Sequence, residues 1–411
     1  MEEYKLSFME LKKIHISDIG KVVTGKTPRT SIVENYGGDI PFLTPSDDLS
    51  YKSVPKTGKT LTEQGLNEVK NCLLPPHSVC VSCIGTDLGK VVMTSEPTIT
   101  NQQFNSIIPN RRFDADFVYY LMTLVGKELN YLSKTSTAVP IINKSSFSNY
   151  EVEVPDLETQ EKIASILSSL DSKIELNRRI NDNLEQQAQA LFKSWFVDNS
   201  NPNWEETSLS EVASFVGGYS YTGEELTDCS NIAMATIKNF GRNGGFKADG
   251  FKEINPSAKL KECHYANLFD ILVAHTDLTQ NADVIGNAEL LLTYGKYNSI
   301  IFSMDLVKVL PKETFPYRFL LAAMLKNELF KGHSLGYVNG TTVLHLSKKA
   351  LPDFEIRKPS DSESKMMDEV LASYYKRMAE LLQENDRLIS LRDTLIPKLM
   401  SGELKINDLN C

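Results

Sequence analysis

The sequence predicts an α+β fold: two similar α/β domains are separated by a long antiparallel pair of helices that pack as a coiled coil, and the repeated halves are related by a pseudo-two-fold axis. Three observations lead to this prediction. The 411 residues exceed one ordinary core, the chain repeats itself at about half its length, and two stretches have the apolar spacing of paired helices. The predicted segments are a first domain at 1–155, a first helix at 156–199, a second domain at 200–358 and a second helix at 359–411.

The two predicted domains share short motifs in the same order. The first motif, ISDI followed by VVTG, recurs as LSEV and FVGG at an offset of 193 positions, as from Ser17 to Ser210. The matched stretches are 16–25 with 209–218, 39–44 with 231–236, 78–82 with 270–274, 117–122 with 319–324, and 150–155 with 354–359. A repeat of this length indicates two copies of one fold.

Two long helices follow the two copies. The offset is 204 positions at the end of each copy, as from Pro155 to Pro359, and it stays constant through both stretches. Apolar residues there alternate four and three apart, which is typical of a helix that packs on another helix. We expect helices of about 35–38 residues, or roughly 55 Å at 1.5 Å per residue. The expected seam residues are Ile163, Leu167, Leu170, Ile174, Asn181, Leu184, Leu191, Met367, Leu371, Met378, Asn385, Leu388, Leu395 and Leu399.

Asn181 and Asn385 occupy equivalent inner positions of this seam. A buried Asn that faces a polar partner fixes register and orientation at some cost in stability. Because the seam has no second apolar face, we expect the helices to pair away from the globular domains. The alternative, in which each helix packs on its own domain, stays open.

The composition narrows the class of protein. Hydrophobic residues make up 41% and charged residues 24%, and no apolar stretch approaches the roughly 18 residues that span a bilayer. The N-terminus lacks a secretory core, so we expect a cytoplasmic protein with no membrane partner. The net charge of −9 argues against coating of nucleic acid by bulk electrostatics, so a nucleic-acid-binding face would be a local cluster.

Motifs that could bind a nucleotide or a metal, or form a catalytic centre, lack the neighbouring residues or elements that such sites require. Residues 20–27 satisfy the phosphate-loop pattern G-x-x-x-x-G-K-T, but Pro28 disfavours the helix that must follow. Cys80 and Cys83 form a C-x-x-C without a second ligand pair, and strand alternation would direct them to opposite faces as buried thiols. The six histidines have no ligand or triad spacing. The sequence therefore predicts neither a catalytic centre nor a metal site in this chain.

Several of these stretches resemble one known family. Residues 19–28, 38–42, 44–47 and 85–92 resemble the target-recognition domain of the specificity subunits of type I restriction-modification enzymes. The helical stretches 155–163, 191–196 and 394–404 are similar to that family's conserved spacer regions. The entry of the second helix, PSDSE, lacks the family's Gln-Glu pair, which puts docking of a partner there in doubt.

The resemblance implies a non-catalytic DNA-binding subunit that recognises a split site in double-stranded DNA, with one half-site for each domain. It also implies that the helices dock two methyltransferase subunits, which bind S-adenosylmethionine and methylate adenine. Motor-nuclease subunits that use ATP are a further implied partner. No cofactor is expected on this chain itself.

The residue types that contact DNA occur in the loops of both copies. Arg or Lys pairs with guanine and Asn or Gln with adenine in the major groove, while Ser, Thr and Lys contact phosphates. The candidate DNA-binding residues are Lys26, Thr27, Arg29, Lys90, Asn101, Gln102 and Gln103 in the first copy, and Tyr219, Tyr221, Lys238, Asn239, Arg242, Asn243, Gln280 and Asn281 in the second. Copies that share a fold but differ in these loops imply different half-sites.

Two other functions are compatible with parts of the pattern. The first is a non-enzymatic coiled-coil scaffold that binds other proteins or RNA. The second is an ATPase built on the loop that begins at Gly20.

Overall fold

The structure is a computed structural model that describes residues 9–85, 87–134, 141–242, 244–279 and 281–404. It divides into two compact units. Unit 1 comprises Met1–Glu175 and Leu388–Cys411, and unit 2 comprises Leu176–Arg387. Both borders lie within long helices. Among the helices that the structure describes, none combines the length and apolar content that crossing a bilayer requires.

Unit 1 contains a mixed α/β domain. Its elements are β1 (Lys12–His15), α1 (Ile16–Ile19), β2 (Gly20–Thr24), β3 (Tyr36–Leu43), β4 (Thr60–Leu61), α2 (Glu63–Val69), β5 (Val79–Ser82), β6 (Val91–Met93), β7 (Ile99–Thr100), β8 (Phe104–Pro109), α3 (Ala115–Lys134), α4 (Lys144–Ser148), β9 (Glu151–Val154) and α5 (Leu157–Lys193). An antiparallel sheet has the order β2-β8-β5-β6, a smaller mixed sheet has the order β4-β3-β7, and β1 pairs antiparallel with β9. The last pairing brings the two ends of the domain together before α5 begins.

Unit 2 repeats this arrangement. Its elements are β10 (Glu205–Ser208), α6 (Leu209–Val212), β11 (Ala213–Gly217), β12 (Ile232–Ala235), β13 (Lys252–Glu253), β14 (Tyr265–Ala266), β15 (Ile271–Ala274), β16 (Thr276–Asp277), β17 (Ala288–Leu290), β18 (Ser299–Phe302), β19 (Leu306–Pro311), α7 (Arg318–Leu325), α8 (Glu328–Leu335), β20 (Val338–Asn339), β21 (Leu344–Leu346), β22 (Glu355–Lys358) and α9 (Asp361–Met400). The order β11-β19-β15-β17 matches the four-stranded sheet of unit 1, and β10 pairs with β22 as β1 pairs with β9. The predicted repeat is therefore present in the strand topology.

The four-stranded sheet of unit 1 lies between two apolar clusters. Val79 and Val81 on β5 pack in the cluster that contains the α3 aromatics, while Cys80 packs in the cluster that contains Phe42 of β3. Cys83 lies with the two valines, so the two thiols face opposite sides, as the strand period predicts. Burial raises the pKa of the Cys80 thiol to about 12, which keeps it in the neutral form.

The phosphate-loop pattern lies on a strand in the structure. Gly20–Thr24 is β2 and pairs with β8 from Gly20 opposite Pro109 to Thr24 opposite Asn105. A phosphate site of this type requires the pattern to run directly into a helix. No helix follows at Lys26 or Thr27, so the backbone N–H groups are not arranged as that site requires.

The long helices contact each other within each unit. In unit 2, Asn177 Nδ2 donates to Asn385 Oδ1 at 2.9 Å, and Asn181 Nδ2 donates to the Met378 carbonyl at 3.4 Å. The residue number of the partner on α9 decreases, from 385 to 378, as the residue number on α5 increases from 177 to 181. The two segments are therefore antiparallel there. The side chain that pairs with Asn385 is that of Asn177, one turn before Asn181. In unit 1, Arg392 Nη1 of α9 donates to Asp171 Oδ1 of α5 at 2.7 Å.

The expected seam residues are covered to different degrees. Buried are Ile163, Leu167, Ile174, Asn181, Met367, Leu371, Met378, Asn385 and Leu399. Half-buried are Leu170, Leu184, Leu191, Leu388 and Leu395.

The seam does not lie apart from the domains. Ile163 and Leu167 pack in one cluster with Phe117 of α3, and Met367 and Leu371 pack in one cluster with aromatic and aliphatic residues of α7. The expectation that the helices pair away from the globular domains is therefore wrong at these positions. The aromatic helices α3 and α7 supply the second apolar surface that the sequence pattern did not reveal.

Candidate DNA interface

Gly25, directly after β2, lies at the start of the candidate interface in unit 1, and Gly218 lies at the equivalent place after β11 in unit 2. A Cβ at Gly25 would lie 2.1 Å from the Asn101 carbonyl oxygen, and one at Gly218 would lie 2.0 Å from the Ser303 carbonyl oxygen. Only glycine allows two backbone segments to approach this closely. The two glycines therefore hold the loop after the first sheet strand against the same neighbouring loop in each unit.

Three backbone hydrogen bonds near these glycines occur in both units, and we call them the loop frame. In unit 1 they join Lys26 N to Thr100 O at 2.9 Å, Cys83 N to Gln103 O at 2.7 Å, and Ile142 N to Cys83 O at 2.9 Å. In unit 2 they join Tyr219 N to Phe302 O at 2.7 Å, His275 N to Asp305 O at 2.8 Å, and Leu346 N to His275 O at 2.8 Å. The same backbone thus carries different side chains: Lys26, Cys83 and Gln103 are replaced by Tyr219, His275 and Asp305.

The structure brings most of the unit 1 candidates together on this loop frame. Thr27 Oγ1 donates to Gln102 Oε1 at 2.6 Å, and Asn101 Nδ2 donates to Gln103 Oε1 at 2.9 Å. Lys26 and Gln102 are exposed, Thr27 and Gln103 are half-buried, and Asn101 is buried. An amide cluster with an adjacent lysine is suited to hydrogen-bond base edges and a phosphate. Lys90 is exposed after the turn that follows β5.

Arg29 is held away from this cluster by an ion pair with Glu68. Its Nε and Nη2 both lie 3.1 Å from Glu68 Oε1, and its backbone N donates to Glu68 Oε2 at 3.0 Å. The backbone hydrogen bond from Arg29 and its guanidinium lower the pKa of Glu68. The Arg29 side chain nevertheless stays 72% exposed, so it is accessible to a ligand.

Two loops of unit 2 form a second group of candidates. Arg242, exposed in the loop at 241–245, lies 3.8 Å from Asp283 through its Nε, and Asn287 Nδ2 donates to the Gly241 carbonyl at 2.9 Å. These contacts join the loop at 241–245 to the loop at 277–287, where Asn281 is exposed. Asn243 and Gln280 lie outside the described residues.

Hydrogen bonds connect the described residues of the loop at 277–287 to one another and to the rest of unit 2. Asp277 is buried, and its carboxylate accepts backbone hydrogen bonds from Val284, Thr279 and Ile285. Burial favours the neutral acid, but these hydrogen bonds prevail and lower the pKa of Asp277. The Lys331 ammonium donates to four acceptors in the same loop.

Sequence reasoning missed both Asp277 and Lys331. The D-x-T pattern at 277–279 could have indicated the turn, but nothing local marks a lysine that acts from 46 positions away, as Lys331 does on Ile285.

Two unit 2 candidates lie inside the domain. Tyr219 is 1% exposed, and its hydroxyl donates to Glu225 Oε1 at 2.5 Å. Asn239 is fully buried and accepts a hydrogen bond from Thr236 N. Both side chains therefore maintain loop structure. Tyr221 is half-buried with the Lys252 ammonium 5.9 Å from its ring, and Lys238 is exposed.

The junction between each domain and its long helix also differs in side chains. In unit 1, buried Gln160 accepts from Asp114 N at 3.1 Å and donates to the Pro155 carbonyl at 2.9 Å. In unit 2 the equivalent residues are Ser364 and Pro316, and Pro316 has no N–H to satisfy. Ser364 Oγ donates to Pro359 O at 3.3 Å. Unit 2 thus lacks both the glutamine and the backbone N–H that the glutamine would accept from. In unit 1, Gln160 has a structural role, because it binds these backbone groups.

Within the described ranges, no three His, Cys, Asp or Glu side chains cluster as they would around a metal ion. The exposed candidates are instead cations and amides on the loop frame and on the two unit 2 loops. Such groups bind anions and hydrogen-bonding edges.

Comparisons with known proteins agree with this chemistry. Residues 9–186 match the model of the type I restriction modification DNA specificity domain. This part of the chain is similar to that family's domain. The specificity domain so identified covers the loop frame of unit 1 and the first half of the helical region.

Relatives extend the likeness to the whole chain. The specificity subunit of the type I restriction enzyme MjaIX from Methanocaldococcus jannaschii is 25% identical over 428 residues, which cover 97% of this chain and 94% of the relative. The HindI specificity subunit from Haemophilus influenzae is 37% identical over 174 residues, or 41% of this chain and 38% of the relative. The chain is thus similar to type I specificity subunits over nearly its full length.

A solved structure supports the fold. The S subunit of a type I restriction-modification system from M. genitalium superimposes with a TM-score of 0.51 at 16% identity, over 95% of this chain and 96% of that chain. At this identity the match supports the fold alone.

Proposed function

We propose that this chain is the DNA-recognition subunit of a type I restriction-modification enzyme and that each unit recognises one half of a bipartite site. The observation that carries the proposal is the loop frame, which repeats three backbone hydrogen bonds in both units beneath different side chains. A matched backbone whose loops carry different side chains is suited to recognise a different half-site in each unit.

The proposed DNA contacts are the exposed and half-buried candidates. They are Lys26, Thr27, Arg29, Lys90, Gln102 and Gln103 in unit 1, and Tyr221, Lys238, Arg242 and Asn281 in unit 2. Tyr219, Asn239 and Asn101 are buried and support the loops from within. The lysines are suited to phosphates, and the amides and arginines to base edges.

We also propose that the two long helices dock two methyltransferase subunits. Apolar side chains are exposed along them: Leu157 and Leu391 in unit 1, and Leu176 and Met366 in unit 2. Single exposed apolar side chains are common on protein surfaces, so the docking proposal rests mainly on the similarity of the helical stretches 155–163, 191–196 and 394–404 to the family's spacer regions. Those subunits would bind S-adenosylmethionine and catalyse adenine methylation, and motor-nuclease subunits would use ATP.

The helices would also set the spacing of the half-sites. The repeat at an offset of 204 positions gives Asn181 and Asn385 equivalent places, and this supports a pseudo-two-fold relation of α5 and α9. Half-sites recognised in opposite strand senses follow from such a relation.

A gel-shift assay with the methyltransferase subunits present tests this function. We expect a complex with duplex DNA whose affinity falls about 10³-fold or more between 50 and 200 mM salt, because bound cations release counterions from the phosphates. A complex that forms equally with unrelated sequences, or none with DNA, would favour a scaffold that binds proteins or RNA.

A further inference from the structure

A cluster of buried charged side chains lies in unit 2. Lys326, just after α7, has a side chain only 7% exposed, and its ammonium pairs with the carboxylate of Glu289 on β17. The same ammonium lies 3.3 Å from Glu185 Oε1 on α5. Burial favours the neutral amine, but Glu289 and Glu185 prevail and raise the pKa of Lys326, so the cation persists.

Glu289 joins this cluster to the loop at 241–245. While Glu289 Oε2 pairs with Lys326, Glu289 Oε1 accepts the backbone N–H of Gly245 at 2.6 Å. The Glu289 side chain is 4% exposed, so this hydrogen bond is shielded from water. A continuous chain of contacts therefore runs from helix α5 through Lys326 and Glu289 to the loop backbone.

The three glycines at 241, 244 and 245 offer no side chains to hold this loop, although the flanking Phe240 and Phe246 pack in a core cluster. Gly244 and Gly245 have φ values of +84° and +90°, and no atom lies within 4 Å of where a Gly245 Cβ would be. Both glycines line a cavity of about 630 Å³ together with Lys326 and Glu289. Polar contacts hold the loop: Gly241 N donates to Gly245 O at 2.8 Å, and the hydrogen bond to Glu289 joins the same turn to the sheet.

The loop carries Arg242, whose side chain is 73% exposed. A guanidinium recognises guanine through two parallel hydrogen bonds, which require its backbone to be placed accurately. A displaced Gly245 would move Arg242, three positions earlier, relative to the rest of the interface.

We propose that Glu185, Lys326 and Glu289 form a positioning network that fixes the loop at 241–245 and so determines base discrimination by unit 2. This inference rests on the proposed function. The network acts on discrimination through Arg242 and contacts no base itself. Buried ion pairs are weak stabilisers because desolvation opposes them, so a conformational role explains the network better than a gain in stability.

The chain offers a matched control in Lys308. Its side chain is also 7% exposed, it lies 3.6 Å from Asp270, which is 4% exposed, and it donates to the Tyr265 carbonyl. Lys308→Met thus removes a buried cation from the same unit without touching the network. Glu289→Gln and Lys326→Met alter the network with side chains of similar size.

The experiment uses the full chain assembled with its methyltransferase subunits. Methylation kcat/KM is measured on duplexes that carry single base changes in either half-site. The half-site that stays unchanged when residues 1–150 are exchanged is assigned to unit 2. We expect Glu289→Gln and Lys326→Met to reduce discrimination at the unit 2 half-site by about 5- to 10-fold, within the range that one base contact supplies. Discrimination at the other half-site stays as in the parent.

Two results would overturn the network. One is parental discrimination in folded Glu289→Gln and Lys326→Met, and the other is an equal loss in Lys308→Met. Glu185→Gln adds a second route if the buried variants do not fold, because Glu185 lies on α5 and the Glu289–Lys326 pair remains. It is expected to lower discrimination about 2- to 3-fold at the same half-site. A parent complex that fails to discriminate bases would instead refute the proposed function.

Discussion

Lys26 is the residue at which the phosphate-loop pattern and the DNA interface make opposite predictions. The strand geometry of Gly20–Thr24 leaves Lys26 exposed beside the amides at 101–103. Sequence reasoning could reject the nucleotide site because Pro28 follows, a local fact. Sequence reasoning could not show that Tyr219 and Asn239 are buried. Their hydrogen-bond partners, Glu225 and Thr236, lie in short loops that the sheet holds in place.

Replacing Lys26 therefore tests DNA binding directly. We expect Lys26→Ala to weaken binding to all duplexes and to reduce the slope of log affinity against log salt by about one, because one phosphate contact is lost. Lys13→Ala, which removes an exposed lysine of β1 paired with Glu151, serves as the control. An unchanged slope together with lost ATP binding would point to a nucleotide site.

Glu225 gives unit 2 a specific pH dependence. The Tyr219 hydroxyl and the backbone N–H groups of Thr222 and Ser257 lower the pKa of Glu225 from 4.5 to about 2. The unfolded chain therefore binds more protons than the folded chain between these values. The stability that Glu225 contributes is complete above pH 4.5 and is lost as the pH falls toward about 2.

Urea unfolding at pH 7 to pH 3 measures this effect. Glu225→Gln should lower the unfolding midpoint at pH 7, and its difference from the parent should shrink as the pH falls. The exposed neighbour Glu224→Gln should follow the parent throughout. A difference between Glu225→Gln and the parent that is independent of pH would show that the carboxylate charge is not what matters.

At the scale of elements, apolar periodicity predicted both long helices. The matched stretches 117–122 and 319–324 lie in α3 and α7, but the sequence did not show that the helix seam continues into the domain cores beside them. The sheet of β16, β20 and β21 in unit 2 was not predicted. Its strands are two or three residues long, and β16 pairs with β21 far along the chain. Such pairings leave no period to detect.

The start of α7 depends on a residue of the second long helix. Asp368 Oδ1 accepts the backbone N–H groups of Phe319 at 2.7 Å and Leu320 at 2.9 Å. Asp368→Ala leaves these amides unsatisfied, so we expect their hydrogen exchange to accelerate about 10-fold, in line with the loss of a helix cap. Exchange measured by mass spectrometry on peptides that cover 317–325 checks this, with the exposed Glu369→Ala as control. Parental exchange rates in Asp368→Ala would contradict the capping role.

At the scale of the whole molecule, duplication was the most predictable feature. The offsets of 193 and 204 positions follow from Ser17 with Ser210 and from Pro155 with Pro359, and the sheet orders repeat accordingly. The sequence showed which side chains differ between the copies. It could not show how they lie relative to one another, because their contacts join loops that are far apart in sequence. Thr27 with Gln102 and Asn287 with Gly241 are examples.

The proposed link between helix length and half-site spacing predicts the effect of a deletion. Removing two heptads from α5, with a matching deletion in α9, shortens each helix by roughly 21 Å, or about six base pairs. We expect the number of bases between the half-sites to change, or binding to be lost. Selection from a library of duplexes with variable spacing measures it. An unchanged spacing in a folded, assembled variant would contradict the link.

The central claim is that two matched domains each recognise their own half-site. Exchange of residues 1–150 for the same segment of another specificity subunit tests it, with N6-methyladenine mapped across a genome that carries the chimera and its methyltransferase subunits. We predict a new methylated sequence in which one half-site has changed, while the other half-site and the spacing are those of the parent. A change in both half-sites, or in neither, would contradict the claim.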